Sequence, residues 1–169
     1  MTIAAIFAVD NNGGMGLNGS LPWPHNANDL ANFQKLTKNN VVVMGRKTWD
    51  DEKMPKPLKG RTVYVASHRP APYAVTFHGD IIPKLLDLEE QHKDKQIFII
   101  GGPQLIQEAS PILDRVYLTH FKNSYKVDTR IQLNDFLKGF KPVRAHVNPD
   151  FQSTLITYEN LFKRTPRST

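Results

Sequence analysis

Asp29 is the residue whose type and setting point most directly to chemistry. It stands between Leu21-Pro22-Trp23-Pro24 and Phe33. A helix opening near Asn26 or Asn28 places it on one face with Phe33 at i+4 and Leu36 at i+7. An ionised carboxylate among apolar side chains costs several kcal/mol unless something pairs with it. No lysine or arginine precedes Lys35, so an upstream cation is not the partner. A ligand carrying donor groups could be, which makes Asp29 a candidate substrate-holding acid. An aspartate in the first turn behind an asparagine N-cap is also what the helix dipole favours with no function at all. This stretch alone leaves the two readings level.

Other candidates gain meaning in combination. Arg46 follows the apolar run Val41–Met44, and Ser67-His68-Arg69 follows Thr62–Ala66. If those runs are neighbouring strands, two arginines and a serine converge to fit a phosphate monoester; singly, each is an ordinary surface residue. Gly101-Gly102 ends another apolar run, and Pro103 suits a first helical position, so free amides there would face an anion. The same pair also serves as a plain tight turn. Thr119 sits inside a strand-like segment and matters only if its hydroxyl meets Asp29. Arg61 is either a bidentate carboxylate clamp or half of a surface ion pair. Gly14-Met15-Gly16-Leu17-Asn18-Gly19 satisfies G-x-G-x-x-G, but Pro22 and Pro24 forbid the helix that fingerprint needs. It is better read as a mobile lid over a pocket. The histidines show no ligand spacing, so no metal site is expected, and no Ser-His-Asp arrangement is found.

The elements that must position these groups follow from composition and pattern. A chain of 169 residues, 40% hydrophobic and 22% charged, suits one globular domain that buries roughly 70% of its unfolded surface. The net charge of +6 is scattered from Lys35 to Arg167, a diffuse field suited to a small polyanion rather than a nucleic-acid tract. With no cysteine, neither a disulfide framework nor a thiolate metal site is available, which fits a reducing compartment. Ile3–Val9 is too short and wrongly flanked for a signal peptide, and nothing is long enough to span a membrane; a cytoplasmic location is expected. Strands are predicted at Ile3–Val9, Val41–Met44, Thr62–Ala66, Ala74–Phe77, Ile97–Ile100 and Val116–Phe121, with 142–147 and 153–162 as a closing antiparallel pair. Helices are predicted over 27–38, just after Gly45, over Ile81–His92 and from Pro103, with 10–25 as loop. The fold class is α/β: a mostly parallel sheet of about eight strands with an antiparallel C-terminal edge and about four flanking helices. Ligands bind beyond the carboxyl ends of such strands.

Taken in order, these residues resemble the dihydrofolate reductase family. The match comprises Ala8-Val9-Asp10 then Gly16, Leu21-Pro22-Trp23 with Asp29, Leu30 and Phe33, Met44 to Trp49, Pro57 to Arg61, Ile99 to Gly102, and Tyr117 to His120. It ends near Arg164, leaving 165–169 as a loose basic tail.

The resemblance implies roles. Asp29 would hold the pterin's 2-amino group and N3, supported by Thr119, with Trp23 helping to order a water. Phe33, Leu30 and Leu58 would sandwich the rings, with Ala4, Ala5 and Ile100 lining the pocket, and Arg61 would clamp the glutamate α-carboxylate. NADPH would be held by Arg46, Lys47, Thr48, Ser67, His68 and Arg69 around its phosphates. Gly101 and Gly102 would approach the pyrophosphate, with Ile6, Met15, Gly16, Gly45 and Gln104 completing the site. The implied reaction is hydride transfer to C6 of dihydrofolate with protonation of N5, by a monomer open to antifolate inhibitors, with no nucleic acid or membrane as partner. Pro103 stands where the family usually has a small residue, and Ile106 where a tyrosine is common. Rival readings are a riboflavin-pathway pyrimidine reductase, disfavoured by Asp29 and Arg61, and a non-catalytic binder that kept the fold.

Overall fold

The computed structural model describes residues 2–24 and 26–162; the expected basic tail, 165–169, lies outside the described residues. The chain runs β1 (Ile3–Val9), β2 (Gly14–Gly16), α1 (Ala27–Thr37), β3 (Val41–Gly45), α2 (Arg46–Asp50), β4 (Thr62–Ala66) and β5 (Val75–Phe77). It continues through α3 (Ile81–Gln91), β6 (Ile97–Gly101), α4 (Pro103–Ala109), a 3-10 turn (Ser110–Ile112), β7 (Arg115–Phe121), β8 (Thr129–Arg130), α5 (Leu133–Phe136), β9 (Phe140–Val147) and β10 (Ser153–Asn160). Eight strands form one sheet in the order β5-β4-β3-β6-β1-β7-β10-β9. Pairing is parallel from β5 to β7 and antiparallel across β7, β10 and β9.

The inner strands are continuous apolar runs because both faces are covered. Alternation splits their side chains between two cores. Ala4, Ile6, Val42, Met44 and Phe98 pack with Trp49 and, from α1, Phe33 and Leu36. Ile3, Ala5, Val41, Val43 and Ile99 pack with Leu85 and Leu88 of α3 and Ile106 of α4. Strand β9 is different: from Lys141 to Val147 every residue is exposed. Lys141 and Arg144 discourage further edge pairing, and Pro142 sits opposite Tyr158 where the register slips, a position that forfeits no interior ladder bond.

Three expectations are corrected. The 10–25 segment is not plain loop: Gly14–Gly16 pairs with Thr129–Arg130 as a separate two-stranded sheet, and Leu17 bridges Ser20. The partner lies more than a hundred residues away, so no local signal announces it. Among the described residues there are five helices where about four were expected, because the short α5 carries only one buried apolar residue, Phe136. The strand β9 begins at Phe140 rather than at 142. Among the described residues no helix is long and apolar enough to cross a membrane.

Candidate active site

Asp29 occupies the first turn of α1, and the Asn26 Oδ1 accepts its backbone N–H at 2.9 Å. The N-cap expected of the sequence is present, and the tertiary fold also brings the side chain to the Thr119 hydroxyl. Burial pushes its carboxyl above the ordinary carboxylate range, and the Thr119 hydroxyl, donating to it, opposes that shift. Thr119 is 3% exposed and lies on β7 opposite Ala8 of β1. A carboxyl so placed can accept from a flat pair of ligand N–H donors and still hold a proton nearby.

The walls around it are apolar. Leu58, Ala4 and Ile6 are buried in the same core layer, with Phe33 and Ile100 packed against it. Leu30, beside Asp29, is 41% exposed and forms an open rim. Ala5 belongs to the opposite layer, so its side chain does not line this pocket; strand alternation separates it from Ala4. Trp23 is buried and stacks on Phe121 with centroids 4.5 Å apart, while Tyr125 meets it edge-on at 6.2 Å. No local pattern pointed to Tyr125, since its contact depends on the path of the chain after β7.

Arg61 closes one end. Its Nη1 lies 3.4 Å from Thr37 Oγ1, its guanidinium carbon 5.9 Å from the Phe33 ring centre, and burial pulls its pKa down. Its Nε is buried without a hydrogen-bond partner. Buried donors are ordinarily satisfied, so this Nε has a hydrogen bond to spare for an acceptor, and no ion pair to Arg61 is seen among the described residues.

At the start of the 10–25 segment, Asp10 is 3% exposed. Its Oδ1 accepts from Asn12 N and Gly14 N at 2.8 Å each, and its Oδ2 from Tyr125 N at 3.0 Å. Burial pushes this carboxyl up, but those three N–H groups and the charge of Arg130 more than offset it, and the net pKa is lowered. Such a group contributes stability above its unfolded pKa and loses it as pH falls through the folded one. Asp10→Asn, which leaves at least one N–H facing a donor, is expected to cost about 1–3 kcal/mol at pH 7. The difference from the parent should shrink below about pH 4, measured by urea unfolding at the two pH values.

Further along, Asn18 N donates to Asp128 Oδ2 at 2.9 Å, and Met15 packs partly buried on the core. Residues 17–21 then face Lys47 and 50–53 across a cleft of about 660 Å³.

On the far side of the cleft, β3 and β4 are neighbours and Arg46 does reach Ser67, with Nη1 to Oγ 3.3 Å. Arg46 is not free, however. Its Nε donates to both oxygens of Asp50 at 3.0 Å, and Nη1 also donates to the carbonyls of Arg69 and Pro70. It shapes the 67–70 loop, so the expected convergence of Arg46 with Ser67 is present with Asp50, an acid one helical turn away that the sequence reading did not weigh, already engaging the guanidinium. The His68 ring lies 5.3 Å from that of His78, which the sequence did not single out and which directly follows the adjacent strand β5. Gly45 and the Gly101-Gly102 pair meet closely: a Cβ on Gly45 would sit 3.8 Å from Gly101 O and Gly102 N, and one on Gly101 would sit 3.1 Å from Thr48 Oγ1. The Gly101-Gly102 peptide is cis. This glycine-lined gap between two strand ends fits an approaching pyrophosphate. Pro103 occupies the first position of α4. Gln104 is exposed and bonded to Glu108, and Ile106 is wholly buried in the core.

Comparison with known proteins is concordant. The family model described as dihydrofolate reductase matches residues 2–159. Dihydrofolate reductase type 8 of Escherichia coli is 32% identical over 145 residues, spanning 81% of this chain and 84% of that protein. Dihydrofolate reductase of Bacillus subtilis is 36% identical over 128 residues, 75% of this chain and 73% of its own. Among solved structures, dihydrofolate reductase from Enterococcus faecalis complexed with NADP(H) and RAB-propyl superposes with a TM-score of 0.80 at 26% identity, covering 94% of this chain and 96% of that one.

Proposed function

The chain belongs to the dihydrofolate reductase family, and from that premise we propose how its own residues carry out the NADPH-dependent reduction of 7,8-dihydrofolate to 5,6,7,8-tetrahydrofolate. The observation that carries the reading is Asp29, a carboxyl in the first turn of α1 that meets the Thr119 hydroxyl and, among the described residues, no cation. A half-buried acid with lone pairs left over after Thr119 is well served by donors from a ligand, and the pterin's 2-amino group and ring N3 supply a flat pair. Arg61, with its unpartnered Nε, takes the glutamate α-carboxylate. Phe33 and Leu58 grip the rings between them, Leu30 folds down from the rim, and Trp23 closes the apolar wall.

NADPH, when bound, supplies the hydride that C6 receives. Ser67, His68, Arg69 and Lys47 hold its phosphates, with Arg46 setting the loop that carries three of them, and Thr48, Gly45, Gly101 and Gly102 make room for the pyrophosphate. The lid, through Met15 and Gly16, keeps bulk water from the reacting atoms. Asp29 keeps a proton at the pocket, and water beside it delivers that proton to N5. The protein works as a monomer in the cytoplasm, where NADPH is supplied, and antifolates that present a donor pair to Asp29 compete for the same groups.

Consumption of NADPH with dihydrofolate, with NADH as the control, tests the reaction. Turnover preferring NADPH supports it, and no turnover by folded protein overturns it. The cradle has its own test. Gly101 has φ +153°, so Gly101→Ala is expected to strain the turn by about 1–2 kcal/mol and weaken NADPH binding roughly five- to thirtyfold. Fluorescence titration should show that loss while dihydrofolate affinity changes far less.

A further inference from the structure

The turn between β9 and β10, residues 148–152, is bonded to the N-terminal turn of α1. Asn26 Nδ2 donates to Asp150 Oδ2 at 3.0 Å, the Asn28 side chain donates to the same carboxylate, and Asn32 Nδ2 donates to Asn148 Oδ1 at 2.9 Å. The turn is itself rigid: Asn148, 1% exposed, donates from Nδ2 to Ser153 Oγ at 2.6 Å, and Gln152 N donates to Asp150 Oδ1 at 3.0 Å. It is also tied to the end of β7, the strand that carries Thr119, through Lys122 N to Gln152 O at 3.0 Å. The turn therefore spans the two elements that hold Asp29 and its hydroxyl partner.

Asn26 is the pivot. A primary amide presents an oxygen at one side and an NH2 at the other, and a carboxylate can only accept. Asp150 thus selects the orientation in which the Asn26 NH2 faces the turn and its oxygen faces the Asp29 N–H, the cap observed at 2.9 Å. With Asp150 removed, only the Asp29 N–H favours that orientation, and the Asn26 amide loses the acceptor that anchors its other end, so the cap is held less firmly.

We propose that Asp150, acting through Asn26, is a positioning residue for proton handling: it fixes where the Asp29 carboxyl stands against Thr119. The inference rests on the role given to Asp29 above. Asp150 lies at an exposed turn, so its replacement is compatible with folding, and thermal unfolding of each variant checks that directly.

The experiment is single-turnover NADPH oxidation with dihydrofolate across the pH range, for the parent, Asp150→Ala and Asp150→Asn. Asp150→Ala is expected to slow hydride transfer roughly three- to tenfold, while Asp150→Asn, which keeps an acceptor oxygen, stays within about twofold of the parent. The midpoint of the pH profile in Asp150→Ala should move to lower pH, because a loosened Asp29 is better solvated and burial is the larger influence on it. NADPH affinity should be unchanged. An unaltered rate and midpoint in Asp150→Ala overturn the proposal, as does an Asp150→Asn variant as impaired as the alanine one. A parent whose turnover depends on Asp29 while Asp150→Ala is silent overturns this inference alone; a parent without turnover overturns the function with it.

Discussion

Asp29→Asn is expected to lower turnover at neutral pH by about 10²- to 10⁴-fold, the range lost when a positioned acid–base group is removed. Asparagine is nearly the same shape and keeps one oxygen for a ligand donor, so substrate affinity should fall less than the rate. The loss comes from the proton. Burial holds the Asp29 carboxyl above the ordinary range, which extends the pH range over which it carries a proton to hand on. Parent turnover should therefore decline as pH rises through that elevated pKa, and the residual rate of Asp29→Asn should lack that inflection. A variant retaining the parent's rate and inflection would remove Asp29 from the mechanism.

The same substitution has an opposite effect on stability. An acid whose folded pKa is raised is penalised when ionised: stability is fully present below the unfolded pKa and is lost as pH rises through the folded one. A neutral amide at position 29 escapes that penalty, so Asp29→Asn should melt higher than the parent at pH 7. The difference should vanish below about pH 4, where both side chains are neutral. Lower activity joined to higher stability is the signature of a residue retained for chemistry. A solvated first-turn aspartate would show the reverse, because losing a charge favoured by the helix dipole destabilises.

Which parts of this site were legible in advance follows from the range of the interactions involved. The inner strands announced themselves because burial on both faces demands unbroken apolar runs, as in Ile3–Val9 and Val41–Met44. Asn26 as N-cap and Pro103 at the first position of a helix were equally local. The rejection of Gly14 to Gly19 as a dinucleotide fingerprint agrees with the short strand that Gly14–Gly16 forms. What escaped was tertiary. Asp150 reaches Asn26 across more than a hundred positions, and Tyr125 finds Trp23 only through the path of its loop; the Thr119 contact with Asp29, ninety positions apart, was named as a condition and supplied by the resemblance rather than by local pattern. The protein partners of Arg46 went unread for another reason: a guanidinium has several donors, and Asp50, with two carbonyls and Ser67, engages its Nε and Nη1.

Arg61→Leu is expected to raise the KM for dihydrofolate about ten- to a hundredfold, equivalent to roughly 1.5–3 kcal/mol for charge-assisted hydrogen bonds, with kcat little changed. The clamp sits away from the reacting atoms, so it contributes the same binding to ground and transition states. Arg61→Lys should not restore affinity, because an ammonium is a point charge and does not match a carboxylate with two parallel N–H bonds. Stability again discriminates. The buried Arg61 Nε has no partner and burial already disfavours its charge, so leucine at this position removes an unsatisfied donor and should leave the melting temperature unchanged or raised. A substrate analogue lacking the glutamate α-carboxylate should bind the parent and Arg61→Leu alike. If it instead discriminates between them as strongly as dihydrofolate does, Arg61 acts by packing on Phe33 and not as an anion clamp.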